Sequence, residues 1–217
     1  MDLSALASEI ISDPRIGLPV LRDEQATVVG IQAYLSLLGK WNQRFNLSAD
    51  RDPVALLTRH VFDSLLYSRA LVEPGEIVDV GSGAGFPGIP LKLAFPERAF
   101  VLVEAQRKRV SFLQEVIRQL KLPGITVVHS RAESLSFPYK GRFQYALFKA
   151  VAPLADCLFW GEPLLQSGGQ VIIKKEPTGP APSPQSSYPG LFEQRPIPTI
   201  NYSGVASQLT IFQKCST

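Results

Sequence analysis

The sequence predicts an α/β fold, a doubly wound and mostly parallel sheet that follows a helical N-terminal extension. Two patterns predict the sheet: from residue 76 onward short apolar runs alternate with helix-like stretches, and a glycine-rich turn follows the first run. Helical spacing of the apolar residues up to about residue 70 predicts the extension. With 217 residues, of which 45% are hydrophobic, the chain is long enough for one such domain.

The extension is predicted to cover residues 1–72 and to pack on the sheet domain as helices. Apolar side chains recur at helical spacing within residues 24–39. Asp52 followed by Pro53 is typical of a helix start, because Asp caps free amide groups and Pro suits the first helical position. This second helix is predicted to continue through Leu66.

The remainder of the chain, residues 73–217, is predicted to form the sheet domain. The predicted strands are 76–80, 99–104, 125–129, 143–149 and 169–174. The predicted helices are 87–95, 107–121 and 153–165. Two β-like runs near 191–200 and 205–213 are predicted to form an antiparallel hairpin at the sheet edge. The proline-rich stretch 177–190 is predicted to be an extended surface loop.

Composition excludes several classes of protein. No run approaches the roughly 20 apolar residues that cross a membrane, and the N-terminal residues have no signal-peptide pattern. Cys157 and Cys215 are the two cysteines, with no metal-binding spacing and no disulfide framework. A net charge of +3 is mildly basic and does not by itself indicate nucleic-acid binding. We therefore expect a cytoplasmic protein without a metal site or membrane contact.

The glycine-rich turn is the most informative segment, and it fits two classes of nucleotide cofactor. It reads Val78-Asp79-Val80-Gly81-Ser82-Gly83-Ala84-Gly85-Phe86, and its alternate glycines allow the backbone to turn sharply and approach a ligand. The frame that starts at Gly83 matches the G-x-G-x-x-G pattern of dinucleotide sites. The frame that starts at Asp79 matches the acid-x-Gly-x-Gly-x-Gly pattern of S-adenosylmethionine sites. Glu104, which closes the next predicted strand, can bond a ribose in either case.

The acidic residue in this turn favours S-adenosylmethionine. A dinucleotide site must accept a pyrophosphate here, and a carboxylate would repel it. S-adenosylmethionine has no phosphate and carries a cationic sulfonium and ammonium, and a carboxylate about 4 Å from a cation gains roughly 4 kcal/mol at an effective dielectric near 20. The residues predicted to bind the cofactor are therefore Asp79, Gly81, Gly83, Gly85 and Glu104.

Two further segments are predicted to lie at the same edge of the sheet. The run Ser130-Arg131-Ala132-Glu133 follows the third predicted strand, where backbone groups can read an adenine while Arg131 reaches outward. A simple turn with solvated side chains explains this run equally well. Lys149 ends the fourth predicted strand and is predicted to face the cofactor or an incoming phosphate.

Basic residues cluster beside the predicted cofactor site. Residues 104–142 contain eight Lys or Arg and three Glu, a local balance of +5. Arg107, Lys108 and Arg109 directly follow Glu104, so they are predicted to lie at the carboxyl end of the second strand. The cluster is either a solvated helix start or a set of contacts to phosphate groups.

The catalytic residues that the sequence lacks indicate which methyl acceptor is expected. Neither cysteine is predicted at the active edge, where cytosine C5 methylation needs one, and residues 148–154 lack the Asn/Asp-Pro-Pro-aromatic pattern typical of amine methylation. A ring nitrogen such as guanine N7 has a free lone pair and needs orientation but no general base. We therefore predict no catalytic nucleophile, no general base and no metal ligand.

Polar residues of the extension have two interpretations each. His60 and Asp63 lie three residues apart on one helical face, and we predict that they form a surface pair rather than a metal site. Arg44 and Asn46 follow Trp41 in the chain, and they either contact RNA or cap the preceding helix.

These motifs closely resemble those of the bacterial small-subunit ribosomal RNA methyltransferase G family, also called glucose-inhibited division protein B. The resemblance runs from about Trp41 to Leu165, and its motifs are Trp41-Asn42-x-Arg44-Phe45-Asn46-Leu47-Ser48, His60-x-x-Asp63-Ser64-Leu65, Asp79-Val80-Gly81-Ser82-Gly83-Ala84-Gly85-Phe86-Pro87-Gly88-Ile89-Pro90, Lys108-Arg109-Val110-x-Phe112-Leu113 and Arg131-Ala132-Glu133. The segment Phe86–Pro90 is specific to this family rather than to methyltransferases at large.

The resemblance implies a class I methyltransferase with a Rossmann-like fold. It implies transfer of a methyl group from S-adenosylmethionine to N7 of a guanine in the decoding region of small-subunit (16S) ribosomal RNA. By position it implies cofactor contacts at Gly81, Phe86, Ala132 and Glu133. It implies RNA contacts at Arg44, Asn46, Arg109 and Arg131. The expected partner is small-subunit ribosomal RNA or the small ribosomal subunit, and the enzyme is expected to be a monomer.

The chain departs from the family pattern at two places. Lys149 stands where the family usually has arginine, which keeps the charge but loses the planar fork for bidentate contacts. The proline-rich residues 177–190 replace a charged, helix-prone segment, so RNA contacts expected there do not carry over. The alternatives to this function are an NAD-type dehydrogenase and a non-catalytic RNA-binding protein; a small-molecule methyltransferase fits the basic cluster less well.

Overall fold

The computed structural model describes residues 2–18, 21, 23–175, 189–194 and 196–215. Most of the predicted proline-rich loop at 177–190 therefore lies outside the described residues. Within the described part, the chain forms one eight-stranded mixed sheet with helices packed on both of its faces. The α/β fold with a helical extension, predicted from the sequence, is confirmed.

Two capped helices open the chain, α1 (Leu3–Ser12) and α2 (Glu24–Asn42). The side chain of Asp2 accepts a hydrogen bond from the amide of Ser4, and that of Asp23 accepts one from the amide of Ala26. The predicted helix at 24–39 is thus confirmed, and it runs three residues further because Trp41 packs on another helix of the core.

The helix predicted from Asp52 to Leu66 is present but irregular. It consists of α3 (Pro53–Ala55), a π-helical segment (Leu56–Val61), α4 (Phe62–Leu65) and a 3₁₀ turn (Leu66–Ala70). Asp52 caps its start, because the carboxylate accepts a hydrogen bond of 3.0 Å from the amide of Ala55. The π-helical segment carries His60, and π-helical turns are frequent at functional sites.

Five parallel strands form the main part of the sheet. All strands are β1 (Ile77–Val80), β2 (Phe100–Glu104), β3 (Ile125–His129), β4 (Phe143–Phe148), β5 (Leu165–Lys175), β6 (Leu191–Glu193), β7 (Ile197–Ile200) and β8 (Ala206–Lys214). Their order is β3-β2-β1-β4-β5-β8-β6, and β7 also pairs with β8. Because the order reverses at β1, a crevice is expected outside the carboxyl ends of β1 and its neighbours.

The apolar core has two layers, one on each face of the sheet, and the side chains of β1 contribute to both layers. Ile77 belongs to the layer that also contains side chains of α2, α5 (Gly88–Ala94) and α6 (Arg107–Leu120). Val78 and Val80 belong to the opposite layer, which contains side chains of α8 (Leu154–Gly161). A short helix α7 (Ser136–Tyr139) precedes β4. Both faces of the central strands are therefore buried, as the continuous apolar runs predict.

The C-terminal strands form the predicted antiparallel hairpin at the edge of the sheet. β7 pairs with β8, with Ile197 opposite Leu209, and β6 also pairs with β8. β8 is the inner strand of this hairpin, because its other side pairs antiparallel with β5, and β6 and β7 form the outer edge. The predicted edge hairpin is therefore confirmed.

The N-terminal extension reaches the carboxyl ends of two strands through one buried tyrosine. The hydroxyl of Tyr67 donates a hydrogen bond to the carbonyl of Phe148 at 2.7 Å and accepts one from the amide of Lys174 at 3.2 Å. Its ring is fully buried in the core layer that the extension shares with the sheet. Tyr67 therefore couples the extension to the ends of β4 and β5.

In the described ranges, no helix is both long enough and apolar enough to cross a membrane.

Replacement of Tyr67 by phenylalanine should destabilise the protein. Tyr67→Phe removes the hydroxyl and leaves a buried carbonyl and a buried amide without this partner, which costs about 1–3 kcal/mol. Chemical denaturation should show this loss in the free energy of unfolding. As a control, Tyr202→Phe removes a hydroxyl that bonds Glu9 at an exposed position, and its effect should stay below about 0.5 kcal/mol. Equal effects of the two substitutions would contradict the coupling role.

Candidate active site

A cleft of about 350 Å³ opens where the carboxyl ends of β1, β2 and β4 meet. We call it the glycine-turn cleft. Its lining residues come from the turns that follow four parallel strands and from α8: Gly81, Val103, Glu104, Ala105, Gln106, Arg109, Ser130, Arg131, Ala132, Glu133, Ala150, Val151 and Trp160. The cleft thus lies at the position where doubly wound sheets bind ligands.

Gly81 forms the floor of this cleft, and a larger residue would not fit there. Its φ is +74°, in the left-handed region that favours glycine. A Cβ atom at this position would lie 2.8 Å from both methyl groups of Val151, which also lines the cleft. The amides of Gly81 and Ser82 donate to the carbonyl of Val103 at 2.9 and 3.0 Å, so the turn is fastened to β2.

Glu104 closes β2 with a buried carboxylate that holds two turns together. Its Oε2 accepts a hydrogen bond of 2.8 Å from the amide of Gly83, and its Oε1 accepts one of 2.7 Å from the amide of Gln106. Each carboxylate oxygen retains a second lone pair. The residue lines the cleft as predicted, and it also fixes the shape of the glycine turn.

The structure corrects the predicted orientation of Asp79. Its side chain is 1% exposed and lies beneath the turn, where Oδ2 accepts a hydrogen bond of 3.0 Å from the amide of Gly88 at the start of α5. Burial raises the pKa of Asp79 to about 7, although the hydrogen bond from Gly88 acts in the opposite direction. Asp79 is therefore not on the wall of the glycine-turn cleft. The Asp79 side chain is short and is buried beneath the turn, so it does not reach the wall of the glycine-turn cleft.

One oxygen of Asp79 has no partner. Oδ1 is buried and makes no hydrogen bond with any described residue. With a pKa of about 7 the group is only partly ionised near neutral pH, and a cation bound at the turn would favour its ionised form. The electrostatic preference for a cationic ligand that the sequence suggests therefore stays a prediction.

The other residues of the glycine motif shape the turn. Gly83 donates its amide to Glu104, and Gly85 is packed so tightly that a Cβ would lie 2.7 Å from Ile89. Phe86 is buried, with its ring centroid 5.5 Å from that of Tyr34 and 5.0 Å from that of His60. The structure does not bring these three motif residues to the wall of the glycine-turn cleft. Gly85 and Phe86 are buried in the core, whereas Gly83 is partly exposed on the turn.

The segment after β3 lies at the cleft, as predicted. Ser130, Arg131, Ala132 and Glu133 all line it, and the amide of Ser130 donates to the carbonyl of Glu104 at 3.2 Å. The guanidinium of Arg131 lies 3.7 Å from the carboxylate of Glu133, and both side chains are exposed. The cleft therefore has a polar, accessible rim on this side.

The three basic residues at the start of α6 have different surroundings. Arg107 and Lys108 are exposed, as a surface for phosphate groups requires. Arg109 instead lines the glycine-turn cleft, with its guanidinium 4.0 Å from Glu104 and its Nε buried without a hydrogen bond to any described residue. The sequence prediction grouped Arg109 with the RNA-binding residues, and the structure places it in the cleft wall because helical geometry turns it away from its two neighbours.

The loop after α2 presents a second basic segment beside α6. Asn42 is buried and holds this loop, because its Oδ1 accepts from the amide of Leu47 at 2.8 Å and its Nδ2 donates to the carbonyl of Ser48 at 2.9 Å. Arg44 and Asn46 are exposed on the same loop. The ammonium of Lys108 lies 5.5 Å from the ring centroid of Phe45, so the two segments are neighbours.

A second cleft of about 280 Å³ lies beside the first, and we call it the lysine cleft. Its lining residues are Asp63, Lys149, Ala150, Lys174, Lys175, Asn201, Val205, Ala206 and Ser207. Lys149 belongs to this cleft rather than to the glycine-turn cleft, because the chain turns between positions 149 and 151. Burial lowers the pKa of Lys149, and the like charge of Lys174 acts in the same direction.

The pairing predicted between His60 and Asp63 is wrong. His60 Nε2 lies 2.8 Å from Asp50 Oδ2, whereas Asp63 Oδ1 lies 2.6 Å from the ammonium of Lys174. The π-helical segment that ends at Val61 changes the helical spacing, so the two side chains do not share a face. Asp63 is thereby brought to the ends of β4 and β5.

Ala150 joins the two clefts, since it lines both of them. Its φ is +54°, a conformation uncommon for residues other than glycine. Strained backbone conformations of this kind cluster at functional sites, and they persist when the surrounding structure enforces them. Sequence reasoning missed Ala150, because no pattern marks a left-handed alanine.

Other cleft residues were also missed. Lys174 ends a predicted strand, so the rule that predicted Lys149 would have found it. Gln106 lies two residues after the second predicted strand and could have been found in the same way. Trp160 reaches the glycine-turn cleft from α8, and no local signal in the sequence announces that contact.

Among the described residues, no group of three or more His, Cys, Asp or Glu side chains could hold a metal ion. The polar groups of the two clefts can bind and orient ligands. The first has a buried carboxylate and backbone groups of four turns, and the second has a carboxylate between lysines.

Comparison with known proteins identifies relatives over most of the chain. A sequence model described as rRNA small subunit methyltransferase G matches residues 28–178. The chain is 39% identical over 175 residues to "Ribosomal RNA small subunit methyltransferase G" of Xylella fastidiosa (strain M23), which covers 81% of each protein. It is 40% identical over 167 residues to the protein of the same name from Colwellia psychrerythraea (strain 34H / ATCC BAA-681), covering 76% of this chain and 75% of the relative.

Solved structures share the fold. A SAM dependent methyltransferase from Aquifex aeolicus superposes with a TM-score of 0.53 at 17% identity, covering 74% of this chain and 93% of that one. TrmN from Thermus thermophilus superposes with a TM-score of 0.54 at 18% identity, covering 70% of this chain and 48% of that one. At these identities the likeness establishes the fold alone.

Replacement of Asp79 by asparagine should change how stability depends on pH. The pKa of about 7 in the folded state lies above the 3.8 of an unperturbed Asp, so between about pH 4 and pH 7 the folded chain keeps a proton that the unfolded chain releases. This group therefore lowers stability as the pH rises, by up to about 1.4 kcal/mol per pH unit.

Asp79→Asn keeps an oxygen for the amide of Gly88 and removes the titration. Urea denaturation across this pH range should show the variant gaining stability relative to the wild type as the pH increases, with no further gain well above about pH 7. Parallel stability curves for the two proteins would show that the Asp79 carboxyl does not titrate in this range.

Proposed function

Since the chain belongs to the rRNA small subunit methyltransferase G family, we propose that it transfers the methyl group of S-adenosylmethionine to N7 of a guanine in small-subunit (16S) ribosomal RNA. The observation that carries the proposal is the glycine-turn cleft, which Gly81 of the glycine turn lines together with Glu104 at the end of the next strand. S-adenosylmethionine is the methyl donor of this family.

The residues of this cleft fit that donor. Glu104 has free lone pairs for the hydroxyl groups of a ribose, and Gly81 lines the same cleft, where a ligand can approach its backbone. The unpartnered Oδ1 of Asp79 favours a cation near the turn. The same acidic group would repel the pyrophosphate of a dinucleotide. An NAD-type function is therefore disfavoured by the same residues.

We assign the direct cofactor contacts to Gly81, Glu104, Ala132 and Glu133, with Gln106 and Arg109 beside them in the cleft wall. In this proposal Asp79, Gly83, Gly85 and Phe86 act through the shape and charge of the turn. For Asp79, Gly85 and Phe86 this division follows from their burial, and for the partly exposed Gly83 it follows from the hydrogen bond of its amide to Glu104.

When bound, S-adenosylmethionine supplies a methyl group activated by a sulfonium. The chain has to bind, orient and exclude water, because a guanine N7 already carries the lone pair that attacks. The lysine cleft and the glycine-turn cleft share Ala150, so an acceptor in one lies next to a donor in the other. Because no proton has to leave N7, the site needs to position the guanine and the methyl donor but needs no general base.

The RNA is proposed to bind along the exposed basic side chains next to the clefts. Arg107 and Lys108 open α6, and Arg44 and Asn46 lie on the neighbouring loop. Arg131 extends the same charge at the rim of the glycine-turn cleft. Contacts between such side chains and phosphates position an RNA without reading its sequence.

Three further points belong to the proposal. Residues 1–72 act as an extension that cannot be separated from the methyltransferase domain, since they share its core. The partner is small-subunit ribosomal RNA or the small subunit, which the enzyme meets as a monomer. A ribosomal substrate implies action in the cytoplasm, where ribosomes are assembled.

A methylation assay tests the function. Small subunits and stripped ribosomal RNA from a strain that lacks this enzyme should accept labelled methyl groups from S-adenosylmethionine when the purified protein is added. Mass mapping should place the methyl group on N7 of one guanine. Incorporation should fall steeply with salt, because Lys and Arg contacts to phosphates release counterions. Absence of transfer with intact binding of S-adenosylhomocysteine would indicate a non-catalytic RNA-binding protein instead.

Replacement of Gly81 by alanine should weaken cofactor binding. The new Cβ would lie 2.8 Å from Val151 and must displace it from the cleft, so calorimetry should show at least a roughly tenfold loss of affinity for S-adenosylhomocysteine, or about 1.4 kcal/mol. The matched control is Gly141→Ala. Gly141 has a similar φ of +67°, but its Cβ would meet no described atom within 4 Å. A loss of affinity equal to that of the control would show that backbone strain, and not crowding of the cleft, is responsible.

A further inference from the structure

We propose that the lysine cleft receives the acceptor guanine and that Asp63 reads its Watson–Crick edge; this inference rests on the proposed guanine-N7 methyl transfer. The cleft measures about 280 Å³, contains one carboxylate and three lysines, and meets the glycine-turn cleft at Ala150. Asp63 has no role in the cofactor site, so its place in a functional cleft requires an explanation.

The position of the reacting atom restricts how a guanine can lie. N7 has to face the donor in the glycine-turn cleft, so the edge of the base that carries N7 is not free to be held by side chains. The opposite, Watson–Crick edge remains for recognition. On guanine this edge presents two donors, N1–H and the 2-amino group, together with the acceptor O6.

The lysine cleft is complementary to that edge. The Asp63 side chain is 23% exposed, and because its Oδ1 is buried against Lys174, its Oδ2 is the oxygen that can accept charge-assisted bonds from N1–H and from the 2-amino group. Lys174, which is 11% exposed, holds Asp63 Oδ1 at 2.6 Å and fixes the orientation of the carboxylate. Lys149 lines the same cleft and can donate to O6, in either protonation state of its amine.

The carboxylate also suits the charge change of the reaction. The N7 lone pair forms the new N–C bond, the electron pair of the broken C–S bond leaves with the sulfur, and the purine ring gains the positive charge that the sulfonium loses. No proton is transferred. An anion at N1–H stabilises this developing charge, so Asp63 contributes more in the transition state than in the ground state.

The same contact rejects adenine and paired guanine. Adenine has an acceptor at N1, which a carboxylate repels, and it has no donor at C2. A guanine in a duplex uses its Watson–Crick edge for its partner strand, so the enzyme requires a base that is single-stranded or flipped out. Specificity for guanine therefore comes from Asp63, and Lys174 is a positioning residue.

The test combines a variant with a matched base analogue. Inosine lacks the 2-amino group of guanosine and keeps N1–H and N7. Small subunits are reconstituted with 16S ribosomal RNA that carries guanosine or inosine at the methylated position. The wild type should lose roughly tenfold or more in kcat/KM on the inosine substrate, the typical effect of one lost base contact. Asp63→Asn should lose about 10- to 100-fold on guanosine, and its preference for guanosine over inosine should shrink to less than about twofold.

Three controls keep the outcomes separate. Glu97→Gln changes an exposed carboxylate at the opposite end of the sheet and should behave like the wild type. Asp63→Glu keeps the carboxylate and should retain the preference for guanosine at a lower rate. Affinity for S-adenosylhomocysteine, measured by calorimetry, should be the same in all variants, which shows that the fold and the cofactor site are intact.

Two results would overturn the inference. If Asp63→Asn keeps the wild-type ratio between guanosine and inosine, Asp63 does not read the base, and the cleft binds the RNA backbone through its lysines. In that case the proposed function stands. If the wild type methylates neither substrate although it binds S-adenosylhomocysteine, the proposed function fails, and the inference fails with it.

Discussion

The buried carboxyl group of Asp79 shapes the connection between β1 and α5. Asp79 leaves β1 towards the core and bonds the amide of Gly88, so the chain must complete a tight turn within the intervening residues. Glu104 then fastens that turn to β2 through the amide of Gly83. These two acids fix the position of Gly81, and the glycine-turn cleft exists because the backbone at Gly81 is held there.

The second cleft depends on how the extension meets the sheet. The π-helical segment moves Asp63 away from His60 and towards Lys174, and Tyr67 on the following 3₁₀ turn bonds the ends of β4 and β5. Ala150 lies between the two clefts in a left-handed conformation. The relative position of the two clefts is therefore set by helices of the extension as much as by the strands.

Local sequence patterns predicted the elements well, and they failed where long-range packing decides. The alternation of apolar runs located β1 through β4 within one residue at each end, and β1, β2 and β4 are buried along their whole length. The glycine motif located the cleft. The burial of Asp79 and the partner of Asp63 depend on neighbours distant in the chain, and no local spacing encodes them.

The bond network of Tyr67 limits how this enzyme can be divided. A recognition module joined by a linker can be exchanged between enzymes without harm to the catalytic part. Here a side chain of the extension supplies hydrogen bonds to the main chain of two strands at the very edge where ligands bind. Grafting a foreign N-terminal segment onto the sheet would therefore remove hydrogen bonds that support the strand ends. A functional chimera would have to carry residues 56–70 along with the sheet.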